Sequence, residues 1–124
     1  MQNRKVLLTF DLEEFDIPNE YGSNLSWQEQ LEVGKRGMIA VAEILQHHNI
    51  PVTIFTTAAY AQENKEQLFS LAQKNEIASH SFYHSHFNDE DLLTSKAVLE
   101  EITCTKVFGL RMPRMKHVEM LAVH

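Results

Sequence analysis

The sequence predicts an α/β fold assembled from parallel βα units. Short runs of β-forming residues at 5–10, 52–57, 76–79 and 106–110 alternate with longer segments whose apolar residues recur at helical spacing. Alternation of that kind lays helices against a parallel sheet. The composition agrees with this class. The 124 residues are 44% hydrophobic and 23% charged, enough apolar material for the core of one domain spanning 1–124.

Each element has its own signal. Val6-Leu7-Leu8-Thr9-Phe10 reads as a buried first strand. The stretch 11–26 is acidic, contains Pro18 and Gly22, and reads as a loop. Ser26 with Glu29 three residues later forms a capping box for a helix over 27–48. Its inward face is Leu31, Met38, Val41, Ala42 and Leu45, and Asn49-Ile50-Pro51 ends it. The β-branched run 52–57 is the second strand. A second helix is expected over 62–74 through Leu68, Leu71 and Ala72, followed by a third strand at 76–79. A third helix begins near Asp89, with Leu92, Leu93, Val98, Leu99 and Ile102 inward, and a fourth strand covers 106–110. The tail after Pro113 is read as a short helix through Val118 and Leu121.

Charge and cysteine count bound the function. The net charge of -6 argues against a nucleic-acid partner, which needs a basic face. The single cysteine, Cys104, makes neither an internal disulfide nor a thiolate zinc cluster. No apolar run approaches the roughly 18–20 residues of a membrane span, and the opening has no cleavage pattern, so the expectation is a cytoplasmic protein with no membrane partner.

The chemistry gathers at the carboxyl ends of the strands, where ligand sites of parallel α/β folds form. Asp11 follows the first strand, His80 the third, and Arg111 the fourth. His80 and His84 are spaced to share one metal on a helix or tight turn. Asp11 and Glu13 share a side of an extended segment, with Leu12 pointing away. Two imidazoles and a carboxylate suit Zn²⁺ and also Fe²⁺, Co²⁺ or Ni²⁺. A further carboxylate beside such a metal serves as a proton acceptor, and Arg111 orients it by a charge-assisted pair. Taken singly, these residues have plainer readings: solvated loop acids, a chance histidine pair, a structural ion pair. Their shared placement is what points to metal-assisted hydrolysis. Other residues are read as structural. His47 and His48 sit in a helix's last turn, where cations are favoured. His86 is read as a loop histidine, Trp27 and Tyr21 as buried aromatics, and Cys104 as a packing or surface residue.

Thr9-Phe10-Asp11, His80-Ser81-Phe82-Tyr83-His84 and Arg111-Met112-Pro113, in that order, resemble successive motifs of the polysaccharide deacetylases, the NodB-homology or carbohydrate esterase family 4 domain. The resemblance implies an irregular (β/α) barrel of the NodB type, of which these residues are the N-terminal portion. It also implies one divalent metal, zinc first, and removal of N- or O-acetyl groups from a carbohydrate. The family's first motif has two adjacent aspartates. Here Leu12 follows Asp11, which is similar to a subgroup whose ligand comes one residue later. Asp11 is then the base, Glu13, His80 and His84 are the metal ligands, and Arg111 orients the base. Glu14 competes with Glu13 as ligand, with Asp16 a distant third. Pro113 shapes the groove wall and Arg114 contacts substrate.

The family's general acid is a histidine on a later Leu-x-His motif. His124 follows Leu121-Ala122-Val123, which is the wrong spacing and too early. The chain thus matches roughly half to two-thirds of the expected domain, and four strands do not close a barrel that usually needs about eight. An open sheet with a bare apolar face implies a homo-oligomer. Two other readings compete with a deacetylase. One is a non-catalytic, oligomeric metal- or sugar-binding remnant of the fold. The other is a small Mg²⁺-binding flavodoxin- or receiver-like module, which leaves His80 and His84 unexplained.

Overall fold

In the computed structural model, which describes residues 3–117, strand β1 (Thr9–Leu12) leads through a short 3₁₀ turn (Ile17–Tyr21) to helix α1 (Trp27–His48). Strand β2 (Thr53–Thr56), helices α2 (Ala58–Glu63) and α3 (Lys65–Leu71), strand β3 (Glu76–Ser79) and helix α4 (Asp91–Thr103) follow, and a second 3₁₀ turn (Pro113–Met115) closes the described chain. The strands form one parallel sheet in the order β1-β2-β3. The expected helix over 118–121, and His124, lie outside the described residues.

Helix α1 starts where its local chemistry dictates. The Ser26 side chain accepts the Glu29 N–H at 3.1 Å, and the Glu29 carboxylate accepts the Ser26 N–H at 2.8 Å. Leu31, Met38 and Leu45 are buried on one stripe, and Asn49 ends the helix in the left-handed conformation at φ 51°. That stripe joins Leu12, Ile54, Tyr60, Leu68, Ile77 and Leu99 in the core.

Four expectations are corrected. The first strand is Thr9–Leu12, not 5–10, and Val6 and Leu7 are 84% and 88% exposed. Its partner limits it: Pro51 has no N–H to donate, and the Val52 N–H is taken by the Asn75 side chain at 3.1 Å. Pairing therefore begins with the Thr53 N–H donating to the Leu8 carbonyl. The helix expected over 62–74 is two helices broken at Asn64 (φ −135°, ψ 46°), and it starts earlier because Thr57 caps α2 by accepting the Tyr60 N–H. In α4 the buried stripe is Ser95, Leu99 and Thr103, with Leu93 79% exposed, because Ser95 Oγ meets Ser79 Oγ at 2.9 Å across β3. The expected fourth strand is a single bridge between Leu110 and Ser79. The residues before it are drawn toward α4 by the Val107 N–H donating to Glu100.

The register sets the face that matters for chemistry. Thr9 and Asp11 lie opposite Thr53 and Phe55, which lie opposite Glu76 and Ala78. These alternate residues share one face of the sheet. That face is largely polar, and the Arg111 guanidinium lies 4.1 Å from the Phe55 ring centroid. The bare apolar face expected of an open sheet is therefore replaced by a polar one with its aromatic ring covered. Among the described residues, no helix is long and apolar enough to cross a membrane.

Candidate metal centre

Asp11 lies in β1 itself, and Glu13 comes immediately after the strand ends. His80 follows β3, held by its N–H donating to the Thr56 carbonyl at 2.9 Å. His80 and His84 do not share a helix. The chain turns at Ser81 (φ 67°), and the Ala58 and Ala59 N–H groups donate to the Ser81 and Phe82 carbonyls. Both histidines are buried.

The second nitrogen of each imidazole identifies its tautomer. His80 Nδ1 lies 2.7 Å from the Arg111 carbonyl oxygen, which can only accept, so Nδ1 carries the proton. His84 Nδ1 lies 2.7 Å from Asp16 Oδ1 and donates there. In the tautomer that each Nδ1 contact favours, Nε2 is the atom left to bind, and both Nε2 atoms point at Glu13 Oε2, at 2.9 Å and 3.3 Å. Glu13 Oε2 is buried, and despite the short approach of His80 it has no properly directed hydrogen bond. The three donor atoms lie within 4.8 Å of one another. Two imidazole nitrogens and a carboxylate oxygen converging this closely fit a divalent cation, which takes the place of any proton on Nε2. The carboxylate and carbonyl on the Nδ1 atoms are the outer partners that orient such ligands.

Without a cation, His80 has a pKa above its usual 6.5. Burial is the largest single influence and lowers it, but Glu13, Asp11 and the Arg111 carbonyl together more than offset this.

The acidic loop divides its labour. Glu14, the competing ligand, is buried and already satisfied: Oε2 accepts the Thr57 hydroxyl at 2.7 Å and Oε1 accepts the His84 N–H at 2.7 Å. It pins the backbone of His84 and lies outside the Glu13–His80–His84 cluster. Asp16 holds the His84 ring instead of touching the centre. Thr57 is the residue that sequence reasoning misses; its place at the end of the second strand is the available signal.

Asp11 Oδ2 stands 3.8 Å from His80 Nε2, while its Oδ1 accepts from Arg111 Nη1 at 2.8 Å. Arg111 Nη2 also donates to Thr9 Oγ1 at 2.9 Å. Pro113 is buried and Arg114 exposed. Both line a cleft of about 230 Å³ between the 84–87 and 112–116 segments, and Arg114 pairs with Glu20. A larger cleft, about 540 Å³, lies between the end of α1 and α3, and no His, Cys, Asp or Glu lines it. His47 and His48 contact each other edge-on at the end of α1, and His86 stacks on Tyr83. Tyr21 is 84% exposed and Trp27 is also exposed, against the expectation of burial: Tyr21 ends the 3₁₀ turn before α1 and Trp27 is the first residue of α1, outside its buried stripe. Cys104 is exposed and caps α4 in the left-handed conformation.

The sequence matches the polysaccharide deacetylase family model over residues 1–117. The chain belongs to this family. No curated protein matches it. Among solved structures, the polysaccharide deacetylase chain is similar to a mutant form of the peptidoglycan deacetylase PdaC from Bacillus subtilis, with TM-score 0.69 and 17% identity over 98% of this chain and 55% of that one. It is similar to PuuE allantoinase, with TM-score 0.66 and 22% identity over 82% of this chain and 44% of that one. It is also similar to a CE4 family pseudoenzyme from Bacillus anthracis, with TM-score 0.65 and 20% identity over 91% of this chain and 36% of that one. The chain thus spans about half the length of these structures or less, and its parallel βα units form part of the NodB-type (β/α) fold. A receiver-like module is set aside.

Proposed function

We propose that this chain carries the metal-binding and proton-accepting part of a hydrolase that removes N- or O-acetyl groups from a carbohydrate. The observation that carries the reading is the convergence of Glu13 Oε2, His80 Nε2 and His84 Nε2 beside Asp11. A divalent cation held by those three atoms, zinc first and cobalt, nickel or iron as substitutes, supplies a Lewis acid for the acyl carbonyl and for water.

The chain's own residues do the rest. Asp11 takes the proton from the attacking water through the carboxylate oxygen that faces His80, while Arg111 fixes the other oxygen and so the direction of the pair. Pro113 and Arg114 form one wall of the cleft that reaches His84, where the sugar is placed. Protonation of the leaving group is assigned to no residue from 3 to 117.

The test is elemental analysis of the purified chain after Zn²⁺ or Co²⁺ loading and dialysis, beside a His80→Ala/His84→Ala variant. One metal per chain, lost in the variant, supports the reading; no stoichiometric metal removes it. A second reading, a non-catalytic metal- or sugar-binding remnant, is favoured by the similarity to a CE4 family pseudoenzyme. It predicts metal uptake without acetate release from chitin oligosaccharides. Self-association also belongs to this proposal. Val6, Leu7 and Phe108 are each more than four-fifths exposed, and sedimentation velocity of the chain tests whether copies cover them.

A further inference from the structure

Helix α1 contains two glycines, Gly34 and Gly37, although glycine is the poorest helix former after proline. Only one has a steric reason to be there. A Cβ built at Gly34 would sit 2.7 Å from the Glu13 carbonyl oxygen and 2.9 Å from Tyr60 Cε2, whereas a Cβ at Gly37 would meet nothing within 4 Å. The first contact is the serious one. A carbonyl oxygen moves only with its backbone, while a ring has some room to tilt.

The same helix stripe touches this turn twice. The backbone carbonyl of Gln30, one turn before Gly34, accepts the Phe15 N–H at 3.2 Å. The backbone from Glu13 to Phe15 is therefore clamped against α1, with a hydrogen bond at one end and bare glycine at the other. The clamp matters because the only groups that the Glu13 carboxylate is seen to meet among the described residues are the two imidazoles themselves. Glu14 is tied to Thr57 and His84, and Asp16 to His84, but Glu13 Oε2 has no hydrogen bond of its own.

We infer that Gly34 is a positioning residue for the carboxylate of Glu13: its missing side chain lets α1 hold the Glu13 backbone where Oε2 meets both imidazoles. The inference rests on the metal-centre reading above and is tested separately from it. The probe is Co²⁺, followed by its visible absorption as the full chain is titrated, at a temperature where the metal-free variants are folded by circular dichroism. Gly34→Ala weakens Co²⁺ binding by about tenfold or more and alters the absorption band, while Gly37→Ala stays within about twofold of wild type. The Gly34→Ala change is repeated on a Tyr60→Leu background, with Tyr60→Leu as its reference. This removes the ring contact, keeps the carbonyl contact, and supplies the comparison if the single variant does not fold. Loss of affinity in both backgrounds supports the inference. A folded Gly34→Ala chain that binds Co²⁺ as tightly as wild type overturns it alone. Wild type that binds no Co²⁺ overturns the metal centre and this inference together.

Discussion

Arg111 Nη1 lies 2.8 Å from Asp11 Oδ1, a contact between residues 100 positions apart. It joins the edge strand β1 to the segment beyond β3, across the face shared by Phe55. Both side chains are partly exposed, so the pair adds little to stability, about 0–1 kcal/mol. Its value is geometric, because it decides which oxygen of Asp11 faces His80.

If Asp11 is the base proposed above, Asp11→Asn separates that role from the metal site. The amide keeps the shape and loses the proton acceptor. Acetate release from chitin oligosaccharides should fall by about 10²-fold or more, with Co²⁺ affinity little changed. Arg111→Lys should lower the same rate with an unaltered melting temperature, since an ammonium cannot contact Asp11 and Thr9 in one plane. Unchanged rates in both variants remove Asp11 as the base.

Glu13 and Glu14 should separate cleanly. Glu13→Ala should cost most of the metal affinity; because Glu13 helps hold the His80 pKa up, it should lower the metal-free melting temperature below about pH 6.5 and change it little at higher pH. Glu14→Ala should destabilise the metal-free chain by about 3 kcal/mol in urea unfolding, since it strands the Thr57 hydroxyl and the His84 N–H in the interior. The reverse pattern would move the ligand by one residue.

Asp16→Asn should weaken metal binding by about 10–100-fold in a Co²⁺ titration, because His84 loses the carboxylate that orients its ring. Undiminished affinity would show that the Glu14 contact to the backbone is sufficient.

The raised pKa of His80 sets a pH dependence. Its protonated form is favoured by folding, so that contribution to metal-free stability is fully present below about 6.5 and is lost as pH rises through the folded value. Metal binding needs Nε2 bare and runs the other way. Co²⁺ affinity should fall as pH is lowered through that value, with a proton released on binding. Isothermal titration calorimetry in buffers of different ionisation enthalpy reads the proton directly. Affinity independent of pH would contradict the assignment of Nε2 as a ligand.

Much of the fold is legible in the sequence because its causes are local. The Ser26–Glu29 capping box and the β-branched run of β2 act over a few neighbouring residues, so α1 and β3 fall where the sequence places them and β2 does so to within a residue or two at its ends. Asp11, His80 and Arg111 can be grouped from the chain order of the elements alone, because parallel strands bring their carboxyl ends together. What the chain does not encode locally is the choice between near-identical neighbours. Glu13 and Glu14 differ by one position. Glu14 turns away because Thr57, 43 residues on, and the His84 N–H, 70 residues on, take its two oxygens. Asp16 becomes an orienting group for the same reason: its partner, His84, is distant in sequence and adjacent only in the fold. The fourth strand shrinks to one bridge because the Glu100 side chain near the end of α4 takes the Val107 N–H. The sequence by itself determined which residue types reach the site. The tertiary structure decided which atom of each one faces it.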